Sequence, residues 1–160
     1  MFYTTFSLND WLHVTLRLSL ALLIGAIVGW NREVTGKPAG LRTHMLVSFG
    51  SALFVMVPIQ LAGDRPSPDS VSRVIQGVAT GIGFLGAGEI LRQSDTQMGR
   101  IRIRGLTSAA AIWVSAALGV AIGAGLWHIG VIGALLALIV LSSVKKLERL
   151  LAPPNSSDKN

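Results

Sequence analysis

Ionisable side chains inside apolar segments are the residues of this sequence with the clearest chemical potential. Arg17 lies in the first long apolar run, and Glu89 lies near the end of the third. A charge in hydrocarbon is costly unless it is paired or hydrated, and such residues often mark ion or proton paths. Glu89 is therefore either a cation or proton site or the ion-pair partner of Arg92. Arg17 shares a helical face with Asp10 and His13, so it either lies at the mouth of a polar pathway or extends to the interface beside that carboxylate.

Basic residues concentrate in two of the segments between apolar runs. In the first, Arg32, Arg42 and Thr43 could hold an anion or the carboxylate of a partner, because guanidinium groups bind such groups in bidentate fashion. Glycines and Pro38 would shape a tight turn there. In the second, the alternating run 100–104 predicts a short strand or hairpin. The alternative for both segments is that their charges contact lipid headgroups.

No catalytic constellation stands out in the sequence. The three histidines, His13, His44 and His128, map to different connections, and Ser115 lies in mid-span with no His or Lys assigned to its region as a base. The run Gly81–Gly86 matches the dinucleotide fingerprint literally, but a strand-to-helix turn is required for that function and this run lies within an apolar segment. We therefore predict no enzymatic activity, no metal site and no cofactor.

Glycines recur at helical spacing within the apolar runs. Pairs of small residues four apart let membrane helices approach closely, within one bundle or between copies. These pairs are Gly25/Gly29, Gly77/Gly81 and Gly119/Gly123. In the third run, glycines at positions Gly81, Gly83, Gly86 and Gly88 either serve close packing or make the helix irregular, as in helices that break to line a binding site.

Composition limits the class of protein. Hydrophobic residues make up 51% of the 160 positions and charged residues 14%, against about 25% charged residues in soluble proteins. A soluble fold and a disordered chain are both excluded on these values. The absence of cysteine excludes a disulfide framework and a thiolate metal site.

The apolar runs predict an all-α membrane protein, a bundle of about five transmembrane helices in one domain over residues 1–144, followed by a short cytoplasmic tail, 145–160. A spanning helix needs about 20 residues. The predicted spans are 11–30, 44–62, 71–91, 106–126 and 129–144, with a tight turn around Trp127 and His128 before the last. Lys and Arg number three in 31–43, four in 92–105 and four in the tail, against two in 63–73. This asymmetry predicts an N-terminus outside and a C-terminus in the cytoplasm.

Three ordered motifs, spread over roughly residues 15–125, resemble the MgtC/SapB family of bacterial membrane proteins. The first cytoplasmic motif is matched by Arg32, Glu33, Gly40, Leu41, Arg42 and Thr43. The glycine-rich third span is matched by Gly81, Gly83, Gly86 and Gly88. The start of the fourth span is matched by Arg104, Gly105, Leu106, Thr107 and Trp113.

The resemblance implies a multi-pass protein of the bacterial inner membrane, linked to magnesium limitation, acid tolerance and survival inside host cells. It implies a regulator that contacts another membrane complex, with the ATP synthase as one example in the family. A small transporter of magnesium, protons or another ion is the alternative, and a purely structural membrane protein is a third class. Expected partners are the lipid bilayer and a membrane protein complex or a second copy of the chain, and nucleic acid is not expected.

Two departures from the family pattern are expected to matter. Many members continue into a soluble cytoplasmic domain, for which the predicted tail is too short. Glu89 also stands where an apolar residue is expected after the glycine run.

Overall fold

The computed structural model describes residues 8–62, 68–93, 95–97 and 100–144. The helices and strands follow one another as α1 (Leu8–Val34), α2 (Leu41–Ala62), α3 (Pro68–Gln93), β1 (Asp95–Gln97), β2 (Arg100–Arg102), α4 (Leu106–Gly123) and α5 (Trp127–Ile139), with a π-helical turn at Val140–Val144. The predicted tail, 145–160, lies outside the described residues.

Four of the described helices are long and apolar enough to cross a membrane: Trp11–Val34 within α1, then α2, α3 and α4. The segment Trp127–Ser143 is a shorter apolar helix. The prediction of an all-α membrane bundle is confirmed, and the helices extend beyond several of the predicted runs.

The turn between the fourth and fifth helices differs from the prediction. Trp127 and His128 begin α5, and the turn lies before them at residues 124–126. Gly125 adopts a positive φ of 84°, and the N–H groups of Gly125 and Leu126 bond back to the carbonyls of Ile122 and Ala121, both at 2.9 Å. This pairing ends α4 in the manner of a glycine C-cap. The local backbone chemistry, and not the bulk of the aromatic side chains, determines where the turn falls.

Helix α4 lies at the centre of the bundle, because it packs against each of the other four helices. Half of the apolar stretch of α4 is buried inside the protein. The buried share is 28% for α1 and α2 and 6% for α3. The largest described core cluster unites α1, α2, α4 and α5. It consists of Ala21, Ile24, Val28, Ala52, Leu118, Ile122 and Ala134.

Close backbone contacts at glycines explain this packing. A Cβ atom at Gly25 of α1 would lie 2.6 Å from the carbonyl oxygen of His44 on α2. Likewise, a Cβ at Gly123 of α4 would lie 2.6 Å from the carbonyl oxygen of Ala52 on α2. The neighbouring Gly29 and Gly119 abut the same helix. Two of the three predicted glycine pairs thus let helices approach within the bundle.

The glycines of α3 behave differently. An added Cβ would meet nothing within 4 Å at Gly77, Gly81, Gly83 or Gly88, and at Gly86 it would meet only Ala109 on α4, at 3.4 Å or more. The prediction of close packing within the bundle is therefore wrong at these four open positions, and packing between copies stays a prediction. The alternative of a broken helix is also wrong, because α3 is continuous from Pro68 to Gln93.

A two-stranded hairpin joins α3 to α4. The antiparallel register pairs Asp95 with Arg102, Thr96 with Ile101 and Gln97 with Arg100. The predicted strand over 100–104 is confirmed as far as Arg102. We call the end of the bundle that carries this hairpin and the α1–α2 turn the hairpin end, and the end that carries the α4–α5 turn the opposite end.

Candidate functional site

The predicted loop motif forms a compact turn at the hairpin end. Gly36 has a positive φ of 63°. The N–H groups of Lys37 and Gly36 bond to the carbonyls of Arg32 at 3.0 Å and Glu33 at 2.9 Å, which closes α1. The Glu33 Oε2 atom then accepts the N–H of Leu41 at 2.9 Å and caps the start of α2.

Arg32 is the buried member of this motif. Its side chain is only 3% exposed, and its Nη2 donates a hydrogen bond to the hydroxyl of Ser108 on α4. Glu89 of α3 is close enough to attract the guanidinium electrostatically. Arg42 and Thr43 are exposed in the first turn of α2, and the pocket that Arg32 lines does not include them. The three residues therefore do not form the joint anion site that the sequence suggested.

Glu89 is held by its own helix. Its Oε1 accepts a hydrogen bond from Gln93 Nε2 at 2.6 Å, and its Oε2 lies 3.8 Å from Arg92 Nε. The side chain of Glu89 is 12% exposed, whereas that of Arg92 is 68% exposed. The interpretation as a local ion pair is confirmed, and Arg32 adds a second cation from α1.

A polar pocket of about 210 Å³ opens at the hairpin end beside α4. Three cationic side chains line it, namely Arg32, Lys37 and Arg104, together with residues Gln93, Ile103, Gly105, Leu106, Thr107 and Ser108. The sequence identified Arg32, Arg104 and Thr107 as motif residues but did not bring them together. Lys37, Gln93 and Ser108 were missed as site residues, because the pocket joins separate segments of the chain, as with Arg32 and Ser108, which are 76 residues apart.

Gly105 lines this pocket and lies against α3. It starts α4 with φ of 90° and provides no side-chain cap. A Cβ there would lie 2.9 Å from Gln93 Nε2. The motif glycine is thus required by its backbone conformation, and the Glu89 carbonyl oxygen, 3.2 Å from the added Cβ, leaves little room for a side chain. Trp113, further along α4, is 52% exposed on the outer surface of the bundle.

A buried histidine and a buried serine contact each other inside the bundle. His44 Nδ1 on α2 lies 2.8 Å from Ser115 Oγ on α4, and both residues are fully buried. The prediction that Ser115 has no histidine in its region is wrong, because His44 lies inside α2 and not in a connection. Because both side chains are buried, a substrate cannot reach them here. The hydrogen bond between them therefore indicates a role in holding α2 against α4 and not a role in hydrolysis. Within the described ranges, no group of three His, Asp or Glu residues is placed to hold a metal ion.

Arg17 acts at the opposite end. Its Nη1 donates a hydrogen bond to the carbonyl of Gly123 at 3.2 Å, which lies in the last turn of α4. A cation is favourable there, because the C-terminal end of a helix carries partial negative charge and unpaired carbonyls. Arg17 and His13 line a cavity of about 240 Å³ at this end. The side chain of Asp10 lies outside the described part of the structure.

We expect Arg17→Gln to destabilise the protein by about 1–2 kcal/mol, because a charge-assisted bond to the end of α4 is lost. The measurement is the thermal melting temperature of the purified protein in neutral detergent, followed by circular dichroism. Arg73→Gln, which removes an exposed cation from α3, is the matched control and should melt like the wild type. Equal melting of the two variants would contradict the capping role.

Comparison with known proteins places this architecture in a family. The sequence model of the MgtC family matches residues 18–150. The chain is 53% identical to protein SrpB of Synechococcus elongatus over 146 residues, 89% of this chain and 80% of SrpB. It is 43% identical over 136 residues to YhiD of Escherichia coli K12, provisionally named a magnesium transporter, covering 82% of this chain and 60% of YhiD.

Protein MgtC of Salmonella typhimurium is 42% identical over 110 residues, which are 69% of this chain and 43% of MgtC. The chain thus covers most of SrpB but less than two thirds of YhiD and MgtC. No solved structure shows significant similarity to it. With a family match over most of its length and relatives of this identity, the chain belongs to the MgtC family.

Proposed function

We infer that this chain is a non-enzymatic regulator of the bacterial inner membrane, acting in magnesium limitation and in acid or ion stress by contacting another membrane complex. Membership of the MgtC family and the name given to YhiD support the link to magnesium. The concentration of Lys and Arg in alternate segments supports an external N-terminus and a cytoplasmic hairpin end.

The observation that carries this proposal is an open apolar groove of about 690 Å³ between α2 and α3. Gly50, Gly77 and Gly81 lie along it, and none of them would contact another atom within 4 Å through an added Cβ. Membrane helices associate where small residues allow backbones to approach, because lipid provides no hydrophobic drive. The groove therefore has the shape and composition to accept a further helix.

We assign this groove to a transmembrane helix of a partner protein. Exposed large side chains, among them Leu46, Phe54 and Leu85, form its walls. In a symmetric dimer the same patch meets itself, which would set one concave surface against another. A single helix from a different protein instead fills the groove and contacts both walls. A second copy of this chain is the outcome to be distinguished by experiment.

Charge at the hairpin end argues against the transporter alternative. Arg32, Lys37 and Arg104 line the pocket there, and Glu89 is already engaged by Gln93 and Arg92. Three cations at this end of the bundle repel an approaching divalent cation. Magnesium also prefers several oxygen ligands and retained waters, which one engaged carboxylate does not supply.

Filling the groove should abolish the function without unfolding the protein. We expect Gly77→Leu/Gly81→Leu to reach wild-type membrane levels and melting temperature, because both positions are open. It should nevertheless fail to restore growth in low magnesium to a strain lacking the gene. Gly83→Leu/Gly88→Leu on the same helix is the matched control, because these glycines are also open but do not line the groove. Full growth with the groove filled would contradict the proposal.

The natural absence of cysteine allows the occupant to be identified. A single Gly77→Cys substitution carries a thiol-reactive photocrosslinker into the groove in intact cells. The expected product is an adduct with one defined membrane protein that is absent from Gly83→Cys. An adduct at twice the mass of this chain would assign the groove to a second copy and overturn the partner assignment.

Ion flux separates the two functions directly. The purified protein in liposomes is expected to give magnesium and proton flux no higher than empty liposomes. Flux above that level that falls in Glu89→Gln would establish a transporter and reject the regulator.

A further inference from the structure

The pocket at the hairpin end is lined by cationic side chains, one of which the described residues leave partly without hydrogen-bond partners. Arg32 lines it, is almost fully buried, and keeps its Nε without a hydrogen-bond partner among the described residues. A buried donor of this kind costs free energy unless something accepts its proton. Lys37 and Arg104, both exposed, bring two further cations to the same space.

The start of α4 adds to the positive potential in this pocket. The first turn of a helix presents unpaired N–H groups and partial positive charge. Gly105 provides no side-chain cap for them, and Thr107 and Ser108 of that turn line the pocket. Cations are unfavourable at the N-terminal end of a helix. Three of them beside the start of α4 therefore indicate an anion that balances the side-chain charges and the helix end together.

Glu89 does not already fill this role. It interacts electrostatically with Arg32, but its oxygens are engaged by Gln93 and Arg92. It is also absent from the pocket lining. The nearby Glu33 is occupied in capping α2. Among the described side chains, these two engaged carboxylates do not balance the three cations that line the pocket.

The size and rim of the pocket indicate the class of anion. Its volume of about 210 Å³ is well above what a single water needs, which leaves room for a phosphoryl group. Ile103 and Leu106 belong to the lining and are 64% and 63% exposed. An amphiphilic ligand would place its phosphate among the cations and its apolar part against these two side chains.

We propose that this pocket binds a phosphoryl anion through Arg32, Lys37, Arg104 and the first turn of α4. The source is either the headgroup of an anionic phospholipid or free phosphate. The site is separate from the α2–α3 groove, so this proposal does not depend on the proposed partner contact.

The test uses the purified full chain in neutral detergent, titrated with phosphatidylglycerol or with phosphatidylcholine of the same acyl chains, and read by native mass spectrometry. Phosphatidylglycerol should bind more tightly than phosphatidylcholine. Lys37→Gln and Arg104→Gln should each weaken its binding about fivefold, the equivalent of ~1 kcal/mol per charge. Both residues are exposed, so these variants should fold, which their melting temperatures verify.

Arg42→Gln is the matched control, because Arg42 is an exposed cation at the same end that does not line the pocket. It should leave binding unchanged. Equal loss in Arg42→Gln and Arg104→Gln would reduce the effect to general surface charge and overturn the proposal.

Inorganic phosphate separates the two sources. Displacement of phosphatidylglycerol by millimolar inorganic phosphate, lost in Arg104→Gln, would assign the pocket to the free anion. Retention of the lipid against phosphate would assign it to the headgroup. No preference between the two lipids together with no effect of phosphate would overturn the pocket and favour an acidic side chain of a partner protein.

Discussion

Gly119→Val is expected to force α4 away from α2 and to lower the stability of the protein strongly. An added Cβ at this position would contact the carbonyl of Ser48 and lie 2.8 Å from its Cα atom. Backbone cannot rotate away as a flexible side chain does, so the helices must separate. Overpacking typically costs about 1–3 kcal/mol, and more where backbone is displaced. Because α4 contacts all the other helices, the loss is not confined to one interface.

The matched control is Gly83→Val, the same substitution in a helix position where an added Cβ meets nothing within 4 Å. Thermal melting in neutral detergent should show Gly119→Val lowered by at least about 6–12 °C, as expected for ~3 kcal/mol in a protein of this size. Gly83→Val should melt like the wild type. Similar melting of the two variants would show that α2 and α4 are not held at backbone contact.

Arg32→Leu is the second substitution with a large expected effect. It removes the hydrogen bond to Ser108 and the nearby cation that attracts Glu89. Glu89 keeps Gln93 and Arg92, so the main loss is the buried hydrogen bond of a charged group, which costs about 1.5–3 kcal/mol. We expect the variant to unfold at lower temperature and to accumulate poorly in the membrane.

Two further variants show whether charge or shape is responsible for the stability lost in Arg32→Leu. Arg42→Leu removes an exposed arginine from the same motif and should change the free energy of unfolding by less than about 0.5 kcal/mol. Arg32→Leu/Glu89→Gln should recover part of the lost stability, because the carboxylate that lost one of its two neighbouring cations is gone. A double variant no more stable than Arg32→Leu would indicate that the guanidinium acts through packing and Ser108 alone.

The sequence predicted the helices well because their signal is local. Apolar runs of sufficient length identify membrane helices from composition alone, and the alternating segment 100–104 identified the hairpin. Helix ends depended on backbone chemistry that hydropathy does not register. Gly36 and Gly125 determine where α1 and α4 stop, and only the second displaced a predicted turn.

The glycine pairs show where sequence reasoning fails. Gly119/Gly123 and Gly77/Gly81 have the same spacing and similar apolar neighbours, yet the first is at backbone contact with α2 and the second faces open space. Spacing shows that one face of a helix carries small residues. Which element packs against that face depends on the arrangement of all the helices. The open pair is the one that the proposed function uses.

The polar contacts were predicted least well, because each joins residues far apart in the chain. Arg32 and Arg42 occur in one motif, but a short turn directs the first into the bundle and leaves the second exposed. His44 and Ser115 were assigned to separate regions, although they form a hydrogen bond 71 residues apart. Glu89 and Arg92 were paired correctly, because they are neighbours on one helix.

The central position of α4 has a consequence for how the protein is made. The partners of Arg32 and His44 on α4 lie 76 and 71 residues further along the chain. At ~5–20 residues per second, they leave the ribosome about 4–15 s later. During that interval α1 and α2 can already join through Gly25, Gly29 and the bond from Ser48 to the Ala21 carbonyl. The nascent chain must meanwhile keep one guanidinium and one imidazole away from lipid, so we expect the insertion machinery to retain the first hairpin until α4 arrives.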